Sequence, residues 1–466
     1  MAGADTIERL RQFLRELPPS SRLLLIGELE RCVLRGDDLA GADLVLQELR
    51  RVLRDQRDGA SRMGSSARLF FKPFEPFLVD DNPDHKHPGR IARSSLEILW
   101  TWIRRDLAPA DAKTLSDDVG DALLANDEAK AGLLTRQFQD RAAAAFDTHF
   151  QAGTTDERAR HRILAQVGTP RSEEDSNTLR SVLKGRDRLA EMAARLPLRI
   201  GNLAKAQLDE CKTLIESVAD DDGNLFLYAL LTVRDRLAAP WQLVRLGTKA
   251  AGSDTAARVA ETQYRVTVTI VLTDLERMVR ELGEELRSGH GVAVASLLKT
   301  IHDSARGLRT ELDLPIDSTW GRALGALRVQ ISDLLRSEIE SMPGRIRRLL
   351  RPRPSDEIPP NSVLDPEEVA EAEAQVAFLG ACRSFASELA VNEMTQRTFS
   401  ELQHYLDSGM QPLLDGVRHA GEADRSFRQS QVDAAVRLCA KALGSDYASL
   451  VGKAAEVVGT AERKAS

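Results

Sequence analysis

The chain has 466 residues, with 64 basic and 71 acidic side chains and a formal net charge of −7. Hydrophobic residues make up 42% of it and charged residues 29%, which is typical of a folded globular protein and excludes an intrinsically disordered one. The mild negative charge argues against a protein that binds nucleic acid with its whole surface.

The sequence contains no apolar run of about 18 residues, the length that a membrane-spanning helix needs. Asp5 and Glu8 occupy the region where a signal peptide would carry basic and apolar residues. The four cysteines are isolated and form no metal-binding spacing, so we expect buried, reduced thiols; they are Cys32, Cys211, Cys382 and Cys439. We therefore expect a cytoplasmic protein without a cofactor.

Helical periodicity begins at the N-terminus. Residues 1–60 contain three apolar stripes at helical spacing, interrupted at Pro18-Pro19. They predict an N-terminal helical bundle. The predicted core residues are Ile7, Leu10, Phe13, Leu14, Leu17, Leu24, Leu25, Leu29, Cys32, Val33, Val45, Leu46, Leu49, Val52 and Leu53. Residues 61–90 break this pattern and predict an irregular segment rich in Phe and Pro.

Residues 91–350 are predicted to form a central region of long helices, with the helix resuming at Ile91. The β-branched alternation of Tyr264–Leu272 resembles a strand, but apolar residues continue at helical spacing as far as Leu286. We therefore predict a helix there. Whether the central helices form a bundle or a solenoid stays open.

A Pro-rich segment, residues 351–366, holds five of the 18 prolines and predicts a linker. Asp365 is then a suitable N-cap, with Pro366 at the first helical position. Residues 367–466 predict a C-terminal helical domain. The expected fold is thus all-α, a multi-helix bundle or array with a C-terminal helical domain after the Pro-rich linker.

Sequence motifs for nucleotide binding and for hydrolysis by a serine or zinc enzyme are absent. His302 and Asp303 are adjacent and both are potential metal ligands, but further ligands at a suitable spacing are missing. The sequence therefore favours a non-enzymatic protein.

The most unusual segment is residues 68–90. Four of the 13 phenylalanines lie within eight residues around two prolines; they are Phe70, Phe71, Phe74 and Phe77. Either these rings, with Arg90, contact a protein partner, or they are part of the protein's own core.

The polar half of this segment contains Asp80, Asp81, Asp84, His85 and His87, followed by Arg90 and Arg93. Carboxylates and imidazoles bind divalent metals, and arginines bind anionic substrates. A metal-assisted hydrolase centred on residues 80–93 is therefore one alternative, with Asp80, Asp84, His85 and His87 as candidate ligands. An exposed loop without a ligand is the other.

A second unusual segment is basic, with five arginines and no acid between Ser341 and Ser355. The arginines are Arg345, Arg347, Arg348, Arg351 and Arg353. They could bind an anionic lipid surface or nucleic acid, or pair with the seven acids of residues 356–373.

Leucine stripes on Arg- and Glu-rich helices are the surfaces on which helical partners dock, although they more often form a protein's own core. Taken together, the sequence predicts a helical interaction or scaffold protein with a protein partner. The metal-assisted hydrolase and the anionic-surface binder are the alternatives.

Overall fold

The computed structural model describes residues 65–125, 127–155, 157–218, 224–288 and 292–461, and seven separate positions before residue 50. Within these residues it contains 18 α-helices and two strands of two residues each. The predicted all-α, multi-helix fold is confirmed. No helix within these ranges is long and apolar enough to cross a membrane.

The α-helices, in chain order, are α1 (Ser65–Phe71), α2 (Leu96–Trp102), α3 (Pro109–Leu124), α4 (Glu128–Thr155), α5 (Glu157–Val167), α6 (Ser172–Arg195), α7 (Lys205–Val218), α8 (Asn224–Arg236), α9 (Val244–Ala251), α10 (Ala256–Ala260), α11 (Arg265–Ser288), α12 (Val292–Glu311), α13 (Thr319–Leu350), α14 (Pro366–Ser384), α15 (Ala386–Leu389), α16 (Asn392–Arg418), α17 (Arg425–Ala442) and α18 (Ser445–Ala461).

The chain between α1 and α2 contains the two strands. A 3-10 turn, Lys72–Phe77, leads into β1 (Leu78–Val79), which pairs in parallel with β2 (Ile91–Ala92). A second 3-10 turn, Arg93–Ser95, precedes α2. The helix predicted to resume at Ile91 therefore begins five residues later, because Ile91 and Ala92 bond to β1 instead.

Helix α11 settles the ambiguous β-branched segment in favour of a helix, as predicted. The buried positions Val268, Val271, Leu275 and Leu282 follow the apolar stripe. Local β-propensity is outweighed here by the helical spacing of the residues that must be buried.

The chain divides into two compact units. The first contains residues 1–253 and 259–270, and the second residues 254–258 and 271–466. The predicted boundary at the Pro-rich segment is not the one observed, because residues 351–366 lie inside the second unit and bond to α17 and the turn before it. Leu364 N donates to Ser430 Oγ (2.9 Å) and Asn361 N donates to the Ala423 carbonyl (2.8 Å).

The predicted N-terminal bundle lies mostly outside the described residues. Seven of its predicted core residues are described. Leu14, Leu46 and Leu49 are buried, and Leu25, Leu29 and Val45 pack against them, whereas Phe13, predicted on the same face as Leu14, is 58% exposed. Six of the seven described positions therefore follow the predicted stripes, and Phe13 does not.

The first unit is centred on aromatic rings. Phe70 lies 5.1 Å from Phe71, 5.4 Å from Trp100 and 5.3 Å from Phe138, measured between ring centroids. Phe77 packs edge-on against Tyr228 at 5.3 Å. These contacts place the segment before β1 deep in the helical core.

Three cysteines are described, and all three are free and buried; they are Cys211, Cys382 and Cys439. Burial raises the pKa of the Cys211 and Cys439 thiols to about 11, so both are protonated at neutral pH. The expected buried, reduced thiols are confirmed at these positions.

A close approach between α6 and α8 gives a test of the packing. A Cβ added at Gly185 would lie 2.2 Å from Cδ2 of the buried Leu225. We expect Gly185→Ala to lower the free energy of unfolding by about 1–2 kcal/mol, because the core must shift to admit the methyl group. Urea denaturation measures this change.

Gly132 is the matched control, since it lies in α4 with no atom within 4 Å of an added Cβ. We expect Gly132→Ala to raise the free energy of unfolding by about 0.5–1 kcal/mol through helix propensity. Equal effects of the two substitutions would contradict the α6–α8 contact.

Candidate metal centre

The candidate site lies in the loop of residues 80–90, which joins β1 to β2. The base of this loop is closed by Arg93, which donates to Glu75 Oε2 (2.8 Å) and lies 3.3 Å from Asp80 Oδ1. The parallel register and these ion pairs bring the two ends of the loop together, so the loop must fold back on itself.

A tight turn after β1 folds the loop. Asn82 N donates to Asp81 Oδ1 (2.7 Å), and Asp84 N donates to the Asn82 side-chain carbonyl (3.0 Å). His85 N donates to the Asn82 main-chain carbonyl (3.1 Å). An Asx turn at Asn-Pro-Asp is the local reason that His85 returns to Asp81.

Asp81, His85 and His87 form the cluster. His85 Nδ1 lies 2.8 Å from Asp81 Oδ1, and His87 Nε2 lies 3.3 Å from Asp81 Oδ2. One ligand atom from each of the three residues lies within 4.8 Å of the others. The side chains of His87 and Asp81 are 4% and 10% exposed, whereas that of His85 is 35% exposed. The cluster is therefore buried on one side and open to solvent at His85.

The end of the loop is held against α8. Gly89 has φ +66°, and a Cβ there would lie 2.8 Å from Leu227 Cδ2 and 2.9 Å from Leu231 Cδ1. A larger residue would meet both the left-handed backbone and the leucines. Glycine thus lets the chain turn between His87 and Arg90, where Arg90 N donates to the His87 carbonyl (3.0 Å).

Arg171, just before α6, supports the loop from outside. Its Nη1 donates to the His85 carbonyl (3.1 Å), and its side chain is 13% exposed. One turn later, Asp175 is 3% exposed, and burial raises the pKa of its carboxyl to about 6. Arg171 therefore holds the loop against the start of α6, and the buried Asp175 lies in the first turn of the same helix.

The predicted ligand set is only partly brought together. His85 and His87 belong to the cluster, but Asp84 is exposed, and Asp80 pairs with Arg93 at the base of the loop. Asp81 takes their place. The spacing of four residues between Asp81 and His85 across an Asn-Pro turn was the signal that could have identified it.

The residues predicted as partner contacts are buried. The rings of Phe70, Phe71, Phe74 and Phe77 are 0–2% exposed, and Arg90 is 7% exposed. In this structure the rings form the protein's own core, which is the second interpretation that the sequence allowed.

The predicted anion-binding arginines make mostly intramolecular contacts. Arg345 lies 3.5 Å from Glu338, Arg347 pairs with Glu401, and Arg351 lies 3.6 Å from Glu357. The Arg353 guanidinium lies over the Phe427 ring at 5.0 Å, and Arg348 is exposed. Pairing of the basic with the acidic block occurs at one place, between Arg351 and Glu357.

His302 and Asp303 point in different directions. The His302 ring is 9% exposed and lies 4.8 Å from the Phe385 ring, whereas Asp303 is exposed. The adjacent pair does not form a common metal site.

The cluster has the donors of a transition-metal site. Two ligands on a tetrahedral zinc ion with bonds of about 2.0–2.1 Å are about 3.3 Å apart. The two imidazole nitrogens lie 2.8 and 3.3 Å from the two oxygens of Asp81, and the three ligand atoms lie within 4.8 Å of one another, so a bound ion would draw them slightly closer. Two imidazoles and one carboxylate suit zinc, cobalt or nickel better than magnesium or calcium. A bound ion would replace the proton between Asp81 and His85.

Comparisons with known proteins found no matching family model, no matching curated protein and no matching solved structure. The fold and the site therefore define the class of this protein only as an all-α protein with a candidate metal centre in an interhelical loop.

The buried Asp175 makes stability depend on pH. Its pKa is raised in the folded state, so the folded protein holds a proton between about pH 4 and 6 that the unfolded chain has released. This proton stabilises the fold fully below about pH 4, and the stabilisation of about 3 kcal/mol is lost as the pH rises through 6.

We expect Asp175→Asn to raise the free energy of unfolding at pH 7 by about 1–3 kcal/mol and to leave it unchanged at pH 4, because the amide is neutral at both. Urea titrations across this range measure the difference. The control is Glu174→Gln, at a neighbour whose side chain is 56% exposed. A constant offset between Asp175→Asn and the unsubstituted protein at all pH values would contradict the raised pKa.

Proposed function

We propose that this protein binds one divalent transition-metal ion of the zinc class through Asp81 Oδ, His85 Nδ1 and His87 Nε2. The observation that carries the proposal is the position of the Asp81 carboxylate, 2.8 Å from one imidazole nitrogen and 3.3 Å from another. Three protein ligands leave a coordination position for water on the open side, at His85.

The surroundings support this donor set. Arg171 bonds to the His85 carbonyl and so holds the main chain of one ligand, and Gly89 fixes the turn that follows the other. Ligands whose backbone is already positioned lose little conformational entropy when an ion binds. The ion would in turn stabilise the loop between β1 and β2.

This proposal includes metal binding but not the metal-assisted hydrolysis that the sequence offered as an alternative. The arginines assigned to an anionic substrate have other positions: Arg93 pairs with Glu75 and Asp80, and Arg90 is 7% exposed. Metal-assisted hydrolysis stays a prediction, which a panel of phosphoesters with added Zn²⁺ would test. The interaction or scaffold role also stays a prediction.

We expect the purified protein to bind about one equivalent of Zn²⁺ or Co²⁺, measured by metal analysis and by the visible absorption of bound Co²⁺. His85→Ala and Asp81→Asn should each weaken binding by more than about tenfold, because even loss of an outer support costs about that much. Substitution of His85 disturbs the packing less than substitution of Asp81, since the side chain of His85 is 35% exposed and that of Asp81 is 10% exposed.

Asp84→Asn is the matched control. This carboxylate is exposed and lies in the same loop, three residues from Asp81, so its loss should leave the affinity unchanged. Absence of stoichiometric metal, or equal weakening by Asp81→Asn and Asp84→Asn, would overturn the proposed ligand set. Circular dichroism of each variant checks that it is folded.

A further inference from the structure

The candidate metal centre has two ligands that are held by their surroundings and one that is nearer to solvent. The side chains of His87 and Asp81 are 4% and 10% exposed, whereas that of His85 is 35% exposed. Beyond His87, the backbone at Gly89 fits closely against two leucines of α8, so that end of the loop has little room to shift. An ion larger than zinc would therefore require an outward movement of His85.

The side chain of Arg171 opposes this movement. Its Nη1 donates to the carbonyl of His85, in the peptide group that links His85 to Lys86, and the distance is 3.1 Å. Its Nη2 lies 3.3 Å from Glu174 Oε1, in the first turn of α6. Because the N–H groups of a guanidinium have a fixed planar geometry, Arg171 ties the main chain between the two histidines to that helix.

The main chain at Arg171 is itself held in place. Ser172 Oγ donates to the Thr169 carbonyl (2.5 Å), which closes the turn before α6. Asp175 N donates to the Arg171 carbonyl (2.9 Å), and the Arg171 side chain is 13% exposed. An arginine that is fixed in this way transmits the rigidity of α6 to the loop, as the outer partners of metal ligands do.

The positive charge of Arg171 separates a positional role from an electrostatic one. A guanidinium repels a bound cation, so removal of its charge alone would strengthen metal binding. Removal of a contact that positions a ligand would instead weaken the binding of the ion that fits the site. The two roles of Arg171 therefore predict opposite changes in metal affinity when a neutral residue replaces it.

We propose that Arg171 is a positioning residue that makes the metal centre selective for ions of the size of zinc over larger ions such as Cd²⁺. Arg171 has this role only if Asp81, His85 and His87 bind an ion, so the proposal rests on the proposed function. By holding the His85 carbonyl, Arg171 keeps this histidine close to Asp81. Selectivity then comes from the limited flexibility of the loop as well as from the type of ligand.

The test measures the affinities for Zn²⁺ and Cd²⁺ by competition with a chromophoric chelator. We expect Arg171→Gln to weaken Zn²⁺ binding by about tenfold, the usual effect of losing an outer partner, and to weaken Cd²⁺ binding less, so that the preference for zinc falls by about threefold or more. Arg171→Lys should give intermediate values, because an ammonium group can still donate to the His85 carbonyl but lacks the planar fork. The visible absorption of bound Co²⁺ should change in Arg171→Gln, because the position of one ligand changes.

Arg160→Gln is the matched control, because the Arg160 guanidinium pairs with Glu173 in the same first turn of α6. It should leave both affinities unchanged, and circular dichroism checks that every variant is folded. The role of Arg171 is refuted, with the proposed function intact, if the unsubstituted protein binds zinc but Arg171→Gln keeps the same preference for zinc. Tighter Zn²⁺ binding by Arg171→Gln than by Arg171→Lys would show an effect of charge and refute it as well. Absence of zinc binding by the unsubstituted protein would refute the proposed function and this role together.

Discussion

The first unit depends on the burial of aromatic rings just before the strand pair. Phe70, Phe71, Phe74 and Phe77 are at most 2% exposed, and burial of each ring contributes about 1.5–3 kcal/mol. Because Phe70 packs against both Trp100 and Phe138, the segment before β1 is anchored to two helices. The loop that follows is therefore held at its start by the core.

Anchoring at both ends is what brings polar groups together in that loop. The parallel pairing of β1 with β2 returns the chain to its starting point, and the Asn82 turn places His85 beside Asp81. His87 is then buried near the same carboxylate. Local turn chemistry and the distant core thus act on one short segment, and the candidate metal centre is the result.

In the second unit, hydrogen bonds attach the Pro-rich segment to the helical core. Its Pro-rich segment is not an extended linker, because Asp424 accepts from Arg428 Nε (2.7 Å) and from Ser355 Oγ (2.9 Å), which joins that segment to α17. These bonds to the charged Arg428 and to Ser355 hold the pKa of the Asp424 carboxyl below its usual range. The segment also contributes Pro352 to the wall of a small apolar cavity, which Leu350, Tyr405 and Met410 line as well.

The sequence by itself predicted the helices and singled out His85 and His87 as candidate metal ligands, because these follow from spacing and residue type. It left open whether the Phe-rich segment was core or a partner contact, and its burial in the structure decided this. The helical assignment of Tyr264–Leu272 is the clearest case, since burial every three or four residues outweighs β-propensity. Only the tertiary structure showed that Asp81, rather than Asp80 or Asp84, lies beside both imidazoles, and placed residues 351–366 inside a unit. Those outcomes depend on contacts between distant residues, and local patterns carry no information about which distant groups will meet.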